Sequence, residues 1–425
     1  MLPLSALDYT LPQELIAREP VSPRDSARLL VVSRSDPSPL EHRIVRDLPD
    51  LLAPGDLLIV NDSRVIPARL TGARSDTGGR VEGLFLSTTN GSERTWRIML
   101  KAKRPRIGSR IDLTSNRGVD TGVSLELLAR ATTEVHEADA HASLAQASPA
   151  TASDDASQAA DTAAWIVRVI GADDLTTAVA ILDRVGSTPL PPYIRSARKR
   201  DATEAGAATH AAPTDDDAHD RSVYQTVYAG DKSGSVAAPT AGLHFTAELL
   251  SNLRHRGVAR HPVTLHVGLG TFKPVETEFV EQHPIHAEWC SVPESTAAAL
   301  KPLPRGEGQG WGSASLRSPR TIAVGTTAAR TLESFTPAQL ASTSPCEHWT
   351  RILITPGYAW QNVDGLMTNF HLPCTTLMAM VASLLDERSG AGSGDGVQRL
   401  QRIYAEAISH KYRFYSFGDA MLILP

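Results

Sequence analysis

The chain has 425 residues, of which 41% are hydrophobic and 21% charged, and its formal net charge at neutral pH is −5. That length can bury a large core and predicts about two domains. The longest apolar helical run, Leu377 to Leu385, is too short to cross a bilayer, which excludes a protein built on transmembrane helices. The N-terminus has neither a basic start nor a sustained apolar stretch, so no signal peptide is expected.

The cysteine content indicates a reducing compartment. Cys290, Cys346 and Cys374 are odd in number and far apart in the chain. They predict neither a disulfide framework nor a Cys-x-x-Cys metal site, and we therefore expect a cytoplasmic protein. No coiled-coil pattern occurs, so we also expect a monomer, without contact to a membrane.

The negative net charge comes from two acidic tracts, and the rest of the chain is basic. Residues 131–162 and residues 201–220 each contain six acidic residues and no lysine or arginine. Both tracts are rich in Ala, Ser, Thr and Asp, which is typical of disordered insertions. Without these twelve carboxylates the remaining formal charge is +7, which permits a polyanionic partner but does not require one. Residues 304–319 are predicted to form another flexible loop.

The first 66 residues contain two strand-like runs and one helix-like run. Strands are predicted over 26–32 and 56–60, with a helix over 43–52 between them. The second strand is strongly apolar and ends in the polar turn Asn61–Arg64. This pattern indicates a buried strand that leads into a turn.

From Pro67 onwards the pattern changes to short β-like runs that are separated by turn residues. The runs cover residues 68–70, 80–86, 95–100, 110–113, 123–128 and 165–170. They predict a small antiparallel β-barrel over residues 67–172. A helix is predicted over 175–185. Basic runs at 101–106 and 198–200 suit either contact with nucleic acid or an ordinary solvated loop.

The stretch from Gly234 to Phe272 predicts a ligand site. It contains two small-residue turns, one before a helix over 246–256 and one after a strand over 262–267. Small residues let a ligand approach the backbone closely, and strand–loop–helix units of this kind form α/β ligand sites. A histidine stands beside each turn, His244 and His266, although a packed structural histidine explains either one as well. The turn residues expected at the ligand are Thr240, Gly242, Gly268 and Gly270.

A third such unit follows near residue 325. A strand over 321–324 runs into Gly325 and a helix over 328–334, and free N–H groups at the start of a helix can hold an anion. Thr326, Thr327 and Arg330 stand at this point. The remaining predicted elements are a strand over 351–354, a helix from Cys374 and a helix over 397–410.

A cluster of polar residues, His283, His286 and Glu288, precedes this unit. Its spacing matches no standard zinc pattern, so no metal is expected. A polar loop at an active site and a surface turn explain the cluster equally well.

Several stretches together resemble one known family. They are YQTVYA (224–229), GSVAAPTAGLHF (234–245), TLHVGLGTF (264–272), HAEW (286–289), AVGTTAARTLES (323–334), TNFHLP (368–373) and YRFYSFGDAML (412–422). With YTLPQELIAREP (9–20) and GDLLIVNDSRVIPARL (55–70), they resemble the S-adenosylmethionine:tRNA ribosyltransferase-isomerases of queuosine biosynthesis. The resemblance covers nearly the whole chain apart from the acidic tracts and the loop at 304–319.

The resemblance implies a multidomain α/β fold, in which an α/β domain is interrupted in sequence by a small antiparallel β-barrel domain. The α/β segments would be 1–66 and 173–425, around a barrel at 67–172. The implied reaction transfers the ribosyl part of S-adenosylmethionine to 7-aminomethyl-7-deazaguanine at the wobble position of a tRNA. The ribosyl unit rearranges, giving epoxyqueuosine-tRNA with release of adenine and methionine. S-adenosylmethionine is then a consumed substrate, and no cofactor is expected.

Such a reaction needs a base beside the sulfonium, an acid for the departing adenine, and partners for the methionine carboxylate. Histidine suits both proton transfers because its pKa lies near working pH. The candidates are His244, His266, His286 and His371, with Glu288 and Asp419 as carboxylate bases or orienting groups. Thr326, Thr327 and Arg330 would hold a carboxylate or phosphate. Arg64 and Arg413 would meet tRNA phosphate or substrate, and Asn369 would read a base edge.

Two other classes of function stay open. One is an S-adenosylmethionine-dependent tRNA methyltransferase, although no clear Gly-x-Gly-x-Gly motif follows an early strand. The other is a non-catalytic RNA-binding module, although small-residue loops beside His and Glu favour chemistry. The chain departs from the family at Cys374, where a basic residue usually follows TNFHLP. If that residue contacts an anion in the family, the charge must come from elsewhere in this chain.

Overall fold

The computed structural model of the protein describes residues 1–34, 39–89, 91–115, 118–131, 163–204, 217–268, 275–300, 319–341, 346–386 and 395–425. The strands are β1 (Arg28–Ser33), β2 (Glu41–Ile44), β3 (Leu57–Asn61), β4 (Arg64–Val65), β5 (Arg69–Arg74), β6 (Arg80–Thr89), β7 (Ser92–Lys101), β8 (Arg110–Thr114), β9 (Asp120–Ala131), β10 (Ala163–Ile170), β11 (Ser233–Ser235), β12 (Ala259–Leu265), β13 (Glu288–Val292), β14 (Thr321–Val324), β15 (Cys346–Thr350), β16 (Gly365–Asn369) and β17 (Ala420–Leu424). The α-helices are α1 (Leu48–Leu51), α2 (Ala178–Val185), α3 (Pro192–Glu204), α4 (Asp217–Val223), α5 (Ala247–His255), α6 (Glu294–Leu300), α7 (Thr326–Glu333), α8 (Pro337–Leu340), α9 (Thr376–Leu385) and α10 (Asp395–Ser409). Within these ranges, no helix has the length and apolar character needed to cross a membrane.

Nine strands form one mixed sheet in the order β15-β13-β12-β3-β14-β16-β17-β1-β2. Strand β3 lies between β12 and β14 and is parallel to both, and β14 is parallel to β16. The continuous apolar run of β3, Leu57 to Val60, is typical of a strand that is covered on both faces. Strands β13 and β17 run antiparallel to β12 and β16. The predicted α/β class is confirmed.

Two apolar layers cover the sheet, because successive side chains of a strand point to opposite faces. Leu30 and Ile59 pack in a large layer with helices α7, α9 and α10. Leu29 and Leu58, one residue earlier in each strand, pack in a smaller layer with α1 and α5. Helix α10 packs on α9, which explains why α9 is buried continuously from Met378 to Leu385.

Strands β5 to β10 form a closed barrel in the order β10-β7-β6-β5-β8-β9. Every neighbouring pair of strands within it is antiparallel. Trp96 and Trp165 are fully buried in its core. Helix α2 packs on the same core through Ile181, Leu182 and Val185, which lie on one face of the helix.

The predicted helix over residues 43–52 is wrong in its first half. Strand β2 pairs with β1 as far as Ile44, and the α-helix is limited to Leu48–Leu51. The Asp47 carboxylate accepts a hydrogen bond from the Ile44 backbone N–H at 3.1 Å. This local bond favours a tight turn over a helix that starts at residue 43.

The predicted strand over residues 351–354 is also wrong. The strand in this region is β15, which ends at Thr350. Thr350 lies opposite Glu288, the first residue of β13. Residues 351–354 therefore have no partner residue in β13, and they leave the sheet.

The acidic tract at 201–220 was predicted as a disordered insertion, and this is wrong at both of its ends. Helix α3 continues to Glu204, and α4 begins at Asp217. Asp220 is only 4% exposed and accepts hydrogen bonds at 3.0 Å from the Arg198 guanidinium. Residues 205–216 and 132–162, and most of the predicted loop at 304–319, lie outside the described residues.

A buried ion pair joins the starts of β3 and β14. Asp56 is 2% exposed and accepts hydrogen bonds from the Arg320 backbone N–H at 3.1 Å, from Arg320 Nε at 3.0 Å and from the Ala53 N–H at 2.8 Å. Burial alone would raise the pKa of Asp56, but these hydrogen bonds together hold its pKa below the ordinary value. Its ionised form therefore stabilises the fold, and that contribution is lost as pH falls through the lowered pKa.

We expect Asp56→Asn to lower the free energy of unfolding at neutral pH by about 3–5 kcal/mol, because it leaves a buried guanidinium without its counter-charge. Urea denaturation measures the loss. The matched control is Asp50→Asn, which removes one side of the exposed pair with Arg256 and should cost about 1 kcal/mol or less. Equal losses in the two variants would contradict the importance of the buried pair.

Candidate functional site

The parallel strands bring several predicted site residues to one edge of the sheet. Strands β3, β12, β14 and β16 all end there, at Asn61, Leu265, Val324 and Asn369, and the antiparallel strand β13 begins there at Glu288. We call this edge the carboxyl edge. The crevice beyond the carboxyl ends of the strands is where open α/β sheets bind ligands.

A cleft of about 360 Å³ lies between the carboxyl edge and the barrel. The barrel side supplies residues of β6 and α2, among them Phe85, Ser87 and Val179. The sheet side supplies four of the predicted site residues, His266, Gly268, His286 and Glu288, together with Gly234, Trp289 and Trp349. These four candidates stand in two motifs, 264–272 and 286–289, and the fold brings both motifs to one wall.

His266 is held in place on three sides. Its Nδ1 lies 2.9 Å from Ser63 Oγ, and its ring stacks on Trp289 with centroids 5.1 Å apart. A Cβ on Gly234 would lie 3.0 Å from the ring, so the ring packs directly on that glycine. Within the described chain, its Nε2 makes no hydrogen bond and is available to a ligand.

The surroundings of His266 keep its imidazole neutral. Burial, and secondly the charge of Lys232, lower the pKa of His266 to about 4. At neutral pH the ring therefore has one nitrogen that accepts a proton. If Nδ1 donates its hydrogen to Ser63 Oγ, the lone pair is on Nε2.

Glu288 forms a buried ion pair with Arg330. Its Oε2 is bound by Arg330 Nη1, and its Oε1 accepts a hydrogen bond from the Gly268 N–H at 2.9 Å. The two side chains are 5% and 12% exposed. Arg330 Nη2 and Thr327 Oγ1 are both buried, and neither has a hydrogen-bond partner in the part of the chain that the structure describes. Buried donors of this kind are usually satisfied.

Two of the predicted catalytic histidines lie outside the lining of the cleft. His244 is 5% exposed, and its ring nitrogens face the carbonyl oxygens of Ala241 and Gly418 at 3.0 and 2.9 Å. His371 is 9% exposed, and its Nε2 lies 2.8 Å from Thr368 Oγ1. Burial lowers the pKa of both, to about 4 for His371. Both geometries are those of packed structural histidines.

The remaining candidates stabilise loops near the carboxyl edge. The Thr240 hydroxyl donates to Asn369 Oδ1 at 2.8 Å, and Asn369 Nδ2 donates to the Tyr415 carbonyl at 3.1 Å. Asp419 accepts from the Arg413 and Arg28 backbone N–H groups at 2.8 and 3.1 Å. Thr326 is buried at the start of α7.

Arg64 follows Ser63 after the end of β3. Arg64 Nε donates to the Gly230 carbonyl at 3.0 Å from an exposed position. Gly270 lies outside the described residues.

Gly242 has a packing reason to be glycine. A Cβ at this position would lie 2.0 Å from the Tyr228 hydroxyl oxygen, and Tyr228 is itself only 8% exposed. We expect Gly242→Ala to destabilise the fold by about 1–3 kcal/mol through overpacking. Thermal denaturation measures this. Tyr228→Phe removes the clashing oxygen, so the double variant should regain part of the lost stability. Wild-type stability in Gly242→Ala alone would contradict this explanation.

Sequence reasoning missed three side chains of the site. Ser63 stands in the turn after β3, and its position at the carboxyl edge was the available signal. Lys232 is 5.5 Å from the Trp289 ring centroid, and its contact depends on tertiary packing. Trp349 lies opposite Trp289 in the β13–β15 ladder, and it was missed because β15 was predicted five residues too late.

The protein has an α/β fold whose cleft presents a neutral histidine and a carboxylate that is paired with a buried guanidinium. The family model described as "Queuosine biosynthesis protein" matches residues 4–423, and the chain belongs to this family. A relative from Gloeobacter violaceus, named S-adenosylmethionine:tRNA ribosyltransferase-isomerase, is 41% identical and covers 98% of this chain and 95% of its own. One of the same name from Symbiobacterium thermophilum is 39% identical over 99% of both chains. The crystal structure of S-adenosylmethionine tRNA ribosyltransferase from Thermotoga maritima is 27% identical, with a TM-score of 0.44, and the match covers 99% of this chain and 100% of that one.

Proposed function

We propose that the protein transfers and isomerises the ribosyl part of S-adenosylmethionine on a tRNA that carries 7-aminomethyl-7-deazaguanine at the wobble position. The products are epoxyqueuosine-tRNA, adenine and methionine. The observation that carries this proposal is agreement over 98% of the chain with a relative named for this activity. S-adenosylmethionine is a consumed substrate, and no further cofactor takes part.

The cleft meets the chemical needs of this reaction. His266 is the base that removes a proton from the carbon beside the sulfonium, because its ring is neutral at working pH and its Nε2 is available. His286 lines the same cleft and is the acid for the departing adenine. The Glu288 carboxylate lies in the same wall and favours the sulfonium electrostatically.

We propose the protein–RNA contact from the two walls of the cleft. The cleft has a barrel wall and a sheet wall, so the α/β part at 1–66 and 173–425 and the barrel part at 67–172 both contact the anticodon loop. The base and the acid named above are residues of one chain, and we propose that the protein acts as a monomer. Because tRNA and S-adenosylmethionine are its substrates, we also propose a cytoplasmic location.

Mass spectrometry of the modified tRNA tests the proposal. The tRNA is incubated with the protein and with S-adenosylmethionine labelled either in the ribose or in the methyl group. We expect ribose label in the tRNA, and free adenine and methionine in the supernatant. Methyl label in the tRNA, with S-adenosylhomocysteine released, would assign a methyltransferase instead. Tight tRNA binding with neither label transferred would favour a non-catalytic RNA-binding module.

A further inference from the structure

A second cavity lies beside the cleft and shares its wall. It has a volume of about 60 Å³, and His286 and Glu288 line both spaces. Arg330 lines only the second cavity. The Glu288–Arg330 pair therefore stands at the boundary, with its carboxylate facing both spaces and its guanidinium facing one.

The lining of the second cavity is mostly apolar and includes the Arg330 guanidinium. Ile352, Ile354 and Met380 supply the apolar surface. Arg330 Nη2 is buried, and it has no hydrogen-bond partner among the residues that the structure describes. Leaving a charged donor buried without a partner is unfavourable, so an anionic group of a ligand would be stabilised there.

One wall also carries the first turn of α9. Thr375, its N-cap, and Thr376, its first residue, both line the cavity. The positive end of a helix adds to the attraction for an anion. The ligand that fits this chemistry has an apolar chain and one carboxylate.

The size of the cavity limits the ligand. A water-sized group needs about 10–15 Å³ of such space, so the cavity holds roughly four to six groups of that size. Four of the nine heavy atoms of methionine, those of its side chain, fit this space. A nucleoside does not fit, whereas the cleft of about 360 Å³ has room for one.

We infer that the second cavity binds the methionine half of S-adenosylmethionine, with its carboxylate on the Arg330 guanidinium and its alkyl chain against Ile352 and Met380. The adenosine half lies in the cleft, and the sulfonium lies at the shared wall beside Glu288. This assignment rests on the proposed function. It separates the two leaving products, so that adenine departs from the cleft and methionine from the second cavity.

Binding of the two products tests the partition without turnover. L-methionine and adenine are titrated separately into the whole protein by calorimetry, with L-norleucine, L-methioninol and glycine as probes. We expect L-methionine and L-norleucine to bind, and L-methioninol, which lacks the carboxylate, to bind at least roughly tenfold more weakly. Equal binding of L-methionine and L-methioninol would overturn the carboxylate contact, and no binding of L-methionine at millimolar concentration would overturn the inference.

Reciprocal filling variants give the matched control. Ile352→Phe adds bulk to the second cavity at a partly exposed position, and Ser87→Phe adds bulk to the cleft. We expect Ile352→Phe to weaken L-methionine binding roughly tenfold or more and to leave adenine binding unchanged, with Ser87→Phe showing the reverse. Loss of adenine binding in Ile352→Phe with L-methionine binding intact would overturn the assignment.

The two proposals fail in different ways. Ribosyl transfer to tRNA with no L-methionine binding and no response to Ile352→Phe would reject the second cavity and leave the reaction standing. Carboxylate-dependent L-methionine binding that Ile352→Phe removes, with no ribosyl transfer, would support the cavity and reject the reaction.

Discussion

Glu288→Gln is expected to destabilise the protein by about 3–5 kcal/mol, because it leaves the Arg330 guanidinium buried without its counter-charge. The Glu288 side chain is 5% exposed and that of Arg330 is 12% exposed, so solvent cannot replace the lost partner. The Gly268 N–H, which donates to Glu288 Oε1 at 2.9 Å, keeps an acceptor in the amide oxygen. The amide nitrogen then faces Arg330 Nη1 as a second donor, so the variant loses both the charge and the hydrogen bond to the guanidinium, and urea denaturation measures the combined effect.

The same variant should lose ribosyl transfer by a larger factor than its stability loss explains. The carboxylate lines both the cleft and the second cavity, and we expect activity at least roughly a hundredfold lower in protein that is still folded. Glu347→Gln is the matched control, since Glu347 is an exposed residue of the neighbouring strand β15 and should change neither quantity. Wild-type stability and activity in Glu288→Gln would contradict the assignment.

His266→Ala is expected to lower kcat by roughly 10²–10⁴-fold, the usual range for removal of a general base. The fold should survive, because His266 lies at a cleft wall and contributes one hydrogen bond, to Ser63 at 2.9 Å. The matched control is His255→Gln, an exposed histidine at the end of α5. Steady-state kinetics of ribose-label transfer measure the effect.

The pH dependence provides a second readout for His266. Burial and Lys232 lower its pKa to about 4, so the ring stays neutral, and able to accept a proton, well below the ordinary histidine pKa of about 6.5. We expect kcat to lose no activity through protonation of this base between pH 7 and about 5. Lys232→Met removes the positive charge near His266, so the fall of kcat on the acid side of the pH profile should move to higher pH. If kcat instead falls on the acid side with a midpoint near pH 6.5, and the same fall remains in His266→Ala, the base is another residue.

The order of the elements could be predicted because its signals are local. The apolar run Leu57 to Val60 in β3 and the small residues around Gly325 in the loop before α7 indicate strand and loop on their own. Predictions were wrong where a long-range partner decides the structure, as at β15, whose end is set by the start of β13. The ends of the acidic tract are ordered for the same reason, since Asp220 is paired with Arg198 and composition alone does not reveal that partner.

The site could be predicted as a set of motifs but not as an arrangement. His266 and Glu288 were identified because ionisable side chains stood beside small-residue turns. The same rule selected His244, whose two ring nitrogens face backbone carbonyls in the core. Local sequence does not distinguish a histidine that faces a cleft from one that faces a carbonyl, because this depends on how the barrel and the C-terminal loop pack on the sheet.

The most direct test of the site is a crystal structure with S-adenosylhomocysteine, which keeps both halves of the substrate but carries no reactive sulfonium. We expect adenosine density in the cleft beside His266 and Trp289, with the carboxylate of the other half bound to Arg330 in the second cavity. A fully occupied ligand at another place on the protein, with the cleft and the second cavity both empty, would contradict this assignment.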